Sequence, residues 1–292
     1  MKRIIIPALL LLVGISSCKK EDVFALWRDK SNLVIKGEAT TIVTVMQYNI
    51  WGADKGWNAQ RFDRVAAVIN SQKPDFVTMN EVDSMTTRNK YFMAQELAER
   101  TGMYYAFAVG REPGSGSHQL GNGAYGDAVL SKYPILETKR FKLLPDPRHT
   151  EEGKEDRTVC GVRVEVDGKD LWVAVTHLDH RNLELSRIYQ ANHLKAILDQ
   201  MEGPLILAGD LNAKPDSETM KIIFDYMSPQ YPSPSKEYYT FPSCYAGEEP
   251  WKLIDYILLR KDDRNLECLT YRIVNEPASD HCGVVATFKL KD

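Results

Sequence analysis

The sequence is poor in metal-binding and redox side chains, with six histidines and five cysteines in 292 residues. Cys18, Cys160, Cys244, Cys268 and Cys282 show none of the paired Cys/His spacings that hold structural zinc, which excludes a site of that kind. Positive charge is also in short supply: 37 Lys and Arg against 40 Asp and Glu give a formal −3. No stretch clusters Lys and Arg with aromatic residues. Polyanions therefore meet no basic field, and DNA binding is expected to be weak and strongly salt-sensitive. No apolar run reaches the ~20 residues of a spanning helix. No fixed-period repeat or long low-complexity linker interrupts residues 41–291. With 43% hydrophobic and 26% charged residues, the composition is that of a folded globular chain, not a disordered, collagen-like or coiled-coil one.

What is there begins with an export signal. Lys2 and Arg3 precede the apolar run Ile4–Ile15, followed by small residues. The end, Ile15-Ser16-Ser17-Cys18, resembles the bacterial lipobox, in which lipid is attached to the cysteine and cleavage falls just before it; the alternative is an unlipidated signal with a chance cysteine. Residues 1–17 are thus read as a lipoprotein signal peptide, 18–40 as a lipidated tether, and 41–292 as one domain. The implied partner is a membrane, through a lipid anchor on Cys18, and the implied location is the outer membrane, outside the cytoplasm. Lys19-Lys20-Glu21-Asp22 resembles the surface-export tag of lipoproteins in the Bacteroidetes group, although a short charged run is equally a solvated linker. Without Lys2 and Arg3 the formal charge becomes −5. Cys160 and Cys282 lie in apolar runs and are expected to be buried free thiols.

Strand and helix alternate at first. Thr41–Ile50 and Asp75–Val82 read as strands around a helix capped by Asn58, with Phe62, Val65, Ala66 and Ile69 on one face and Pro74 closing it. Residues 91–101 form a helix stopped by Gly102. Tyr104–Val109 and Ala128–Ser131 flank a glycine-rich loop, 113–126, that lacks the spacing and helix of a phosphate-binding loop. Thr158–Val166 and Leu171–His177 make a hairpin through Asp167-Gly168. A helix over 183–201, a short strand Leu205–Ala208, a helical face at Met220–Met227 and strands Leu253–Leu259, Leu266–Val274 and Val284–Leu290 complete the chain. About ten strands exceed one comfortable twisted sheet, which predicts two packed mixed sheets with outer helices.

Chemistry-bearing residues recur where apolar strands start or stop, at Asn49, Glu81, His177, Asp210 with Asn212, and Asp280-His281, while Asp255 sits inside Leu253–Leu259. A charge beside buried strand residues is costly unless paired or metal-bound, and strand mouths converge on clefts. Asn49, Glu81, Asp210, Asn212 and Asp280 would offer oxygen donors of the kind that suits Mg²⁺, Mn²⁺ or Ca²⁺. Two of the six histidines, His177 and His281, sit beside them, a combination suited to in-line attack on phosphorus.

The segments Gln47-Tyr48-Asn49, Asn80-Glu81-Val82, Thr176-His177-Leu178-Asp179, Gly209-Asp210-Leu211-Asn212, Ile254-Asp255-Tyr256 and Ser279-Asp280-His281 follow in order. Together they resemble the motifs of the deoxyribonuclease-I-like endonuclease/exonuclease/phosphatase superfamily, over about residues 43–288. The resemblance implies an α/β four-layered sandwich of two mixed β-sheets flanked by helices. It also implies roles. Glu81 would be the principal Mg²⁺ (or Mn²⁺) ligand, with Asn49 beside it and Asp280 completing a metal or water site. Asp210 would orient or deprotonate water, and Asn212 would hold a phosphate oxygen or that water. Asp255 would orient His281 on the scissile phosphate, and His177 would face the leaving group. Two positions depart from the pattern: Asn80 stands where Gln is usual, and Trp51 where some nuclease branches carry a second acid.

Outside the motifs, Arg157 fits either a phosphate clamp or a surface arginine, and His180 reads as surface. Trp57, Tyr125 and Trp251 are rim aromatics or ordinary packing. The expectation is a metal-dependent phosphoesterase acting first on phosphodiesters, with nucleic acid as a partner only in the sense of a substrate. The alternatives are a phosphomonoesterase on inositol-phosphate-like substrates, a sphingomyelinase-like phospholipase, and a non-catalytic surface-binding lipoprotein.

Overall fold

In a computed structural model the described residues are 40–54, 56–112, 120–145, 156–181 and 184–291. The signal peptide, Cys18 and nearly all of the tether lie outside them. Among the described residues twelve strands form two sheets: β1 (Thr41–Asn49), β2 (Phe76–Ser84), β3 (Tyr104–Arg111), β4 (Ala124–Ser131), β5 (Glu137–Leu143), β6 (Arg157–Val166), β7 (Lys169–His177), β8 (Leu205–Asp210), β9 (Met227–Pro229), β10 (Asp255–Arg260), β11 (Leu266–Val274) and β12 (Gly283–Leu290). One sheet runs β11-β12-β1-β2-β4-β3, the other β5-β6-β7-β8-β10-β9. Each is antiparallel except at its centre, where β1 pairs with β2, and β7 with β8, in parallel.

The expected four layers are present. Inward-facing Val43, Val45 and Phe76 of one sheet and Val162, Val173 and Ile206 of the other share a single buried core. Helices α1 (Ala59–Gln72) and α2 (Met93–Thr101) cover the first sheet through Phe62, Val65, Ile69 and Leu97. Helices α3 (Leu185–Leu198) and α4 (Glu218–Tyr226) cover the second through Ala191, Leu194, Met220 and Ile223. Each such buried aliphatic or aromatic side chain contributes ~1.5–3 kcal/mol of transfer free energy. The Asn58 side chain accepts from Arg61 N at 3.0 Å and starts α1, while Gly102, at φ 69°, ends α2. Cys160 and Cys282 are buried free thiols.

Two strands exceed the ten read from sequence. β5 is an edge strand that carries Lys139 on one face and Arg140 and Lys142 on the other, a composition that guards an edge and hides the alternation. β9 is three residues long and ends in a proline.

Candidate active site

The two parallel pairs end side by side. In register, Asn49 faces Asn80 on one sheet. On the other, Asp210 faces His177 on β7 and Asp255 on β10. The turn Ser279–Cys282 leads into β12, next to β1, and delivers His281 to the same place. Asn49, His177, Asp210, Asp255 and His281 are all buried. They line or underlie a cavity of roughly 320 Å³ whose wall includes Glu81, Arg157, His177, Asp210, Asp280 and His281.

Glu81 reaches the cavity through a break in register between Met79 and Val82, with its backbone at φ 62°. Such a bulge re-aims a side chain, and the left-handed conformation costs a non-glycine residue about 1–2 kcal/mol. Gly52 makes room for it, since a Cβ there would fall 1.7 Å from the Glu81 carbonyl oxygen. Glu81 Oε1 accepts from Asn49 Nδ2 at 3.3 Å and Oε2 from Ala53 N at 3.3 Å. Asn49 Nδ2 also donates to Asp210 Oδ2 at 3.1 Å, which ties the two sheets together. Trp51, whose ring packs edge-on against Tyr245, supplies no second acid.

Asp255 Oδ2 lies 2.9 Å from His281 Nδ1. The other ring nitrogen faces Asp210 Oδ2 at 3.7 Å. Burial opposes charge on His281, but Asp255, Asp210 and Asp280 outweigh it and push the imidazole up to about 10. It is therefore a cation at neutral pH. Burial, with Asp255 next to it, pushes the Asp210 carboxyl up to about 7 despite His281 and the amides of Asn212 and Asn49. Burial, reinforced by Glu81 and opposed by His281, raises Asp280 to about 6.

His177 behaves oppositely. Burial, then Arg157, His281 and His180, hold it well below its ordinary value, so it is neutral. Arg157 Nη1 donates to His177 Nδ1 at 2.9 Å, which leaves the ring proton on Nε2. The acceptor facing that proton is Asp210 Oδ2 at 3.4 Å; Asn212 Nδ2, 2.9 Å from the same nitrogen, is itself a donor and takes no proton from it. Asn212, at φ 49°, donates from Nδ2 to Leu178 O at 3.1 Å. Arg157 is buried, and its Nη2 lies 3.2 Å from His180 Nδ1. The surface alternative for Arg157 is thus overturned: it is a buried wall of the cavity and the clamp of two histidines. His180 is exposed as expected, yet it lines the cavity. Trp57 is core packing, whereas Tyr125 lines the cavity beneath Arg88.

Sequence inspection gave no role to three contributors. Asn80 joins four strands: its oxygen accepts Gln47 Nε2 at 2.6 Å and Asp210 N at 2.9 Å, and its nitrogen donates to Asp127 Oδ1 at 2.8 Å and Thr176 O at 3.0 Å. Asp127 is buried, and burial pushes it up to about 7 against Asn80 and Arg157. Its signal was the same as for the other acids, a carboxylate next to an apolar strand. Arg88 carries no such signal; it is held in the wall by both oxygens of buried Asp83, at 2.7 and 2.8 Å.

Donor atoms of Asp210, Asp255 and His281 lie within 4.8 Å of one another, close enough to hold a metal ion. The cavity also holds Glu81 and Asp280, and the Glu81 charge helps to raise the Asp280 carboxyl. Hard oxygen donors of this kind fit Mg²⁺ or Mn²⁺.

A four-layered sandwich with a buried Asp–His cluster at the strand mouths defines a class in which several relatives are known. This chain belongs to the Endonuclease/Exonuclease/phosphatase family, which it matches over residues 46–281. Among solved structures it is similar to an endonuclease/exonuclease/phosphatase from Beutenbergia cavernae (24% identity, 86% of this chain and 72% of that one, TM-score 0.67). It is also similar to a mannosyl-6-phosphatase from Bacteroides thetaiotaomicron (17% identity, 84% and 99%, TM-score 0.66). A third relative is the human Nocturnin catalytic domain with bound sulfate (21% identity, 86% and 94%, TM-score 0.67). No curated protein matches the chain.

Proposed function

We propose that this protein is a divalent-metal-dependent phosphoesterase that hydrolyses a phosphodiester by metal-assisted attack of water. The observation that carries this reading is the opposed charge state of two histidines flanking one carboxylate: His281 cationic on Asp255, His177 neutral on Arg157, Asp210 between them. Asp210, pushed up to about 7, is matched to taking a proton from water near neutral pH. The His281 cation sits where charge on phosphoryl oxygens needs compensation. His177 keeps a proton on Nε2 and donates it as a hydrogen bond toward the phosphoryl or leaving oxygen, with Asn212 next to it. Glu81 and Asp280 would hold the Mg²⁺ or Mn²⁺, with Asn49 bonded to Glu81; the ion supplies Lewis-acid polarisation of a phosphoryl oxygen. That set is favoured over Asp210, Asp255 and His281, because a protonated imidazole cannot ligate a metal.

The test is turnover of bis-p-nitrophenyl phosphate with Mg²⁺. EDTA should abolish it and added Mg²⁺ restore it; no turnover with either Mg²⁺ or Mn²⁺ refutes the proposal. A phosphomonoesterase is the second reading, favoured by Arg88, Arg111 and Arg157 in one wall, since a monoester carries an extra charge. Faster turnover of p-nitrophenyl phosphate would select it. The lipid anchor on Cys18 and the extracytoplasmic location rest on the Ile15–Cys18 segment. Palmitate labelling of wild type and not of Cys18→Ser supports them. No helix among the described residues is long and apolar enough to cross a membrane.

A further inference from the structure

A second hollow, of about 370 Å³, lies next to the catalytic cavity, lined in part by Lys214, Asp216, Tyr239, Trp251 and Lys252. Phe241 connects the two: it lines the catalytic cavity, packs on the His281 ring at 4.8 Å, and has Lys252 Nζ 5.2 Å from its own centroid. Trp251 is 49% exposed, an unusual setting for an indole. Two ammonium groups flank its ring, Lys252 Nζ at 4.1 Å and Lys214 Nζ at 5.9 Å from the centroid.

Placing a second ammonium on the ring works against the charge of Lys252. Burial and then Lys214 hold the Lys252 amine below its ordinary value, offset in part by Asp210. Elsewhere among the described residues Lys132, Lys139, Lys142, Lys195, Lys221 and Lys291 each pair with a carboxylate. Among the described residues neither Lys214 nor Lys252 has a carboxylate within 4.0 Å, and Asp216, in the same hollow, pairs with neither. The positive charge is thus concentrated, in a chain that is acidic overall, one ring away from the reacting centre. A ring shelf between two ammonium point charges suits a flat or cyclic group bearing phosphate. It repels a quaternary ammonium headgroup, which counts against choline lipids as substrates.

We propose that Lys214 and Lys252, set on Trp251 next to Phe241, form a subsite for a second phosphate carried on the ring-bearing organic part of the substrate. The substrate class is then a phosphoester with a further phosphate on a nucleoside or sugar, and this deepens the phosphoesterase reading on which it rests.

The experiment is calorimetric binding of adenosine 3′,5′-bisphosphate and adenosine 5′-monophosphate to the full chain, without metal so that nothing turns over. Wild type should bind the bisphosphate at least tenfold more tightly than the monophosphate. In Lys214→Ala/Lys252→Ala that ratio should fall to near one, whereas Lys132→Ala/Lys195→Ala, outside both cavities, should keep it. Trp251→Ala should weaken bisphosphate binding several-fold. A wild-type ratio near one, or a ratio unchanged in Lys214→Ala/Lys252→Ala, overturns the subsite; unchanged affinity in Trp251→Ala overturns the part given to the ring. Since binding is read without turnover, the two proposals fail separately. A preserved ratio with no hydrolysis of either bis-p-nitrophenyl phosphate or p-nitrophenyl phosphate sinks the phosphoesterase reading alone. Hydrolysis without a ratio sinks the subsite alone.

Discussion

Asp255 and His281 form a buried ion pair, Oδ2 to Nδ1 at 2.9 Å, in which the carboxylate has no exposure at all. The pair keeps a proton on His281 well above neutrality, because Asp255 and Asp210 together outweigh the burial that opposes it.

Asp255→Asn tests this directly. A raised pKa means the imidazolium persists until pH passes about 10, so the alkaline limb of activity should fall near there in wild type. Removing the Asp255 charge should move that limb to lower pH and reduce turnover by less than His281→Ala does. Superimposed pH–rate profiles with equal turnover would show that Asp255 is structural only. Since Asp210 and His281 titrate as interacting groups, both variants are compared with wild type.

Glu81→Gln keeps shape and the hydrogen bond from Asn49 but loses the charge that a hard cation needs. Mg²⁺ affinity by titration calorimetry should drop, and turnover should fall by about a hundredfold or more, with the melting temperature nearly unchanged. Normal Mg²⁺ affinity together with normal turnover would remove Glu81 from the site.

Arg157→Lys replaces a planar fork that reaches both His177 and His180 with a single ammonium. Turnover should fall by roughly tenfold or more, and the deficit should grow with the pKa of the leaving alcohol, since His177 would lose its fixed tautomer. Compare nitrophenyl with alkyl esters: an equal deficit for both would detach Arg157 from the leaving-group side.

Asn80→Ala breaks bonds to four strands and leaves the Asp210 amide and the Gln47 side chain without this partner. Each orphaned buried group costs ~1–3 kcal/mol, so unfolding free energy should drop by on the order of 3 kcal/mol. Asn80→Gln, one methylene longer in a sealed space, should cost about 1–3 kcal/mol. Denaturant midpoints of the three proteins check both values, and unchanged midpoints would show that the junction bears no stability.

Most of the site was legible because it obeys one rule: a polar residue ends a strand too apolar to be anywhere but inside. Asn49, His177 and Asp210 follow it and His281 stands just before its strand; Asp255, expected inside Leu253–Leu259, instead opens β10, and the sheets bring all five together. The rule fails where a residue acts through a distant partner. Asn80 looks like a minor departure until the facing sheet supplies Asp210 N and Thr176 O. Arg157 shows its role only when His177 and His180 are placed against it. Strand β5 went unread because its exposed charges mask the inward Phe141 and Leu143, and β9 because three residues carry no periodicity. The Lys214 and Lys252 pair is separated by 37 intervening residues, so nothing local in the sequence hints that they share a ring.

The Asn49–Asp210 and Asn80–Asp210 bonds cross from one sheet to the other, over 161 and 130 positions of chain. Neither sheet owns a complete reaction centre: Glu81 and Asn49 belong to one, His177, Asp210 and Asp255 to the other. During folding, catalysis therefore cannot appear piecemeal. Each sheet must acquire its own strands and helices, and the proposed hydrolytic competence must wait further for the docking of two halves through long-range contacts, a class that forms slowly. Regain of activity on refolding becomes a clock for that docking event, ticking later than any spectroscopic signal of strand or helix.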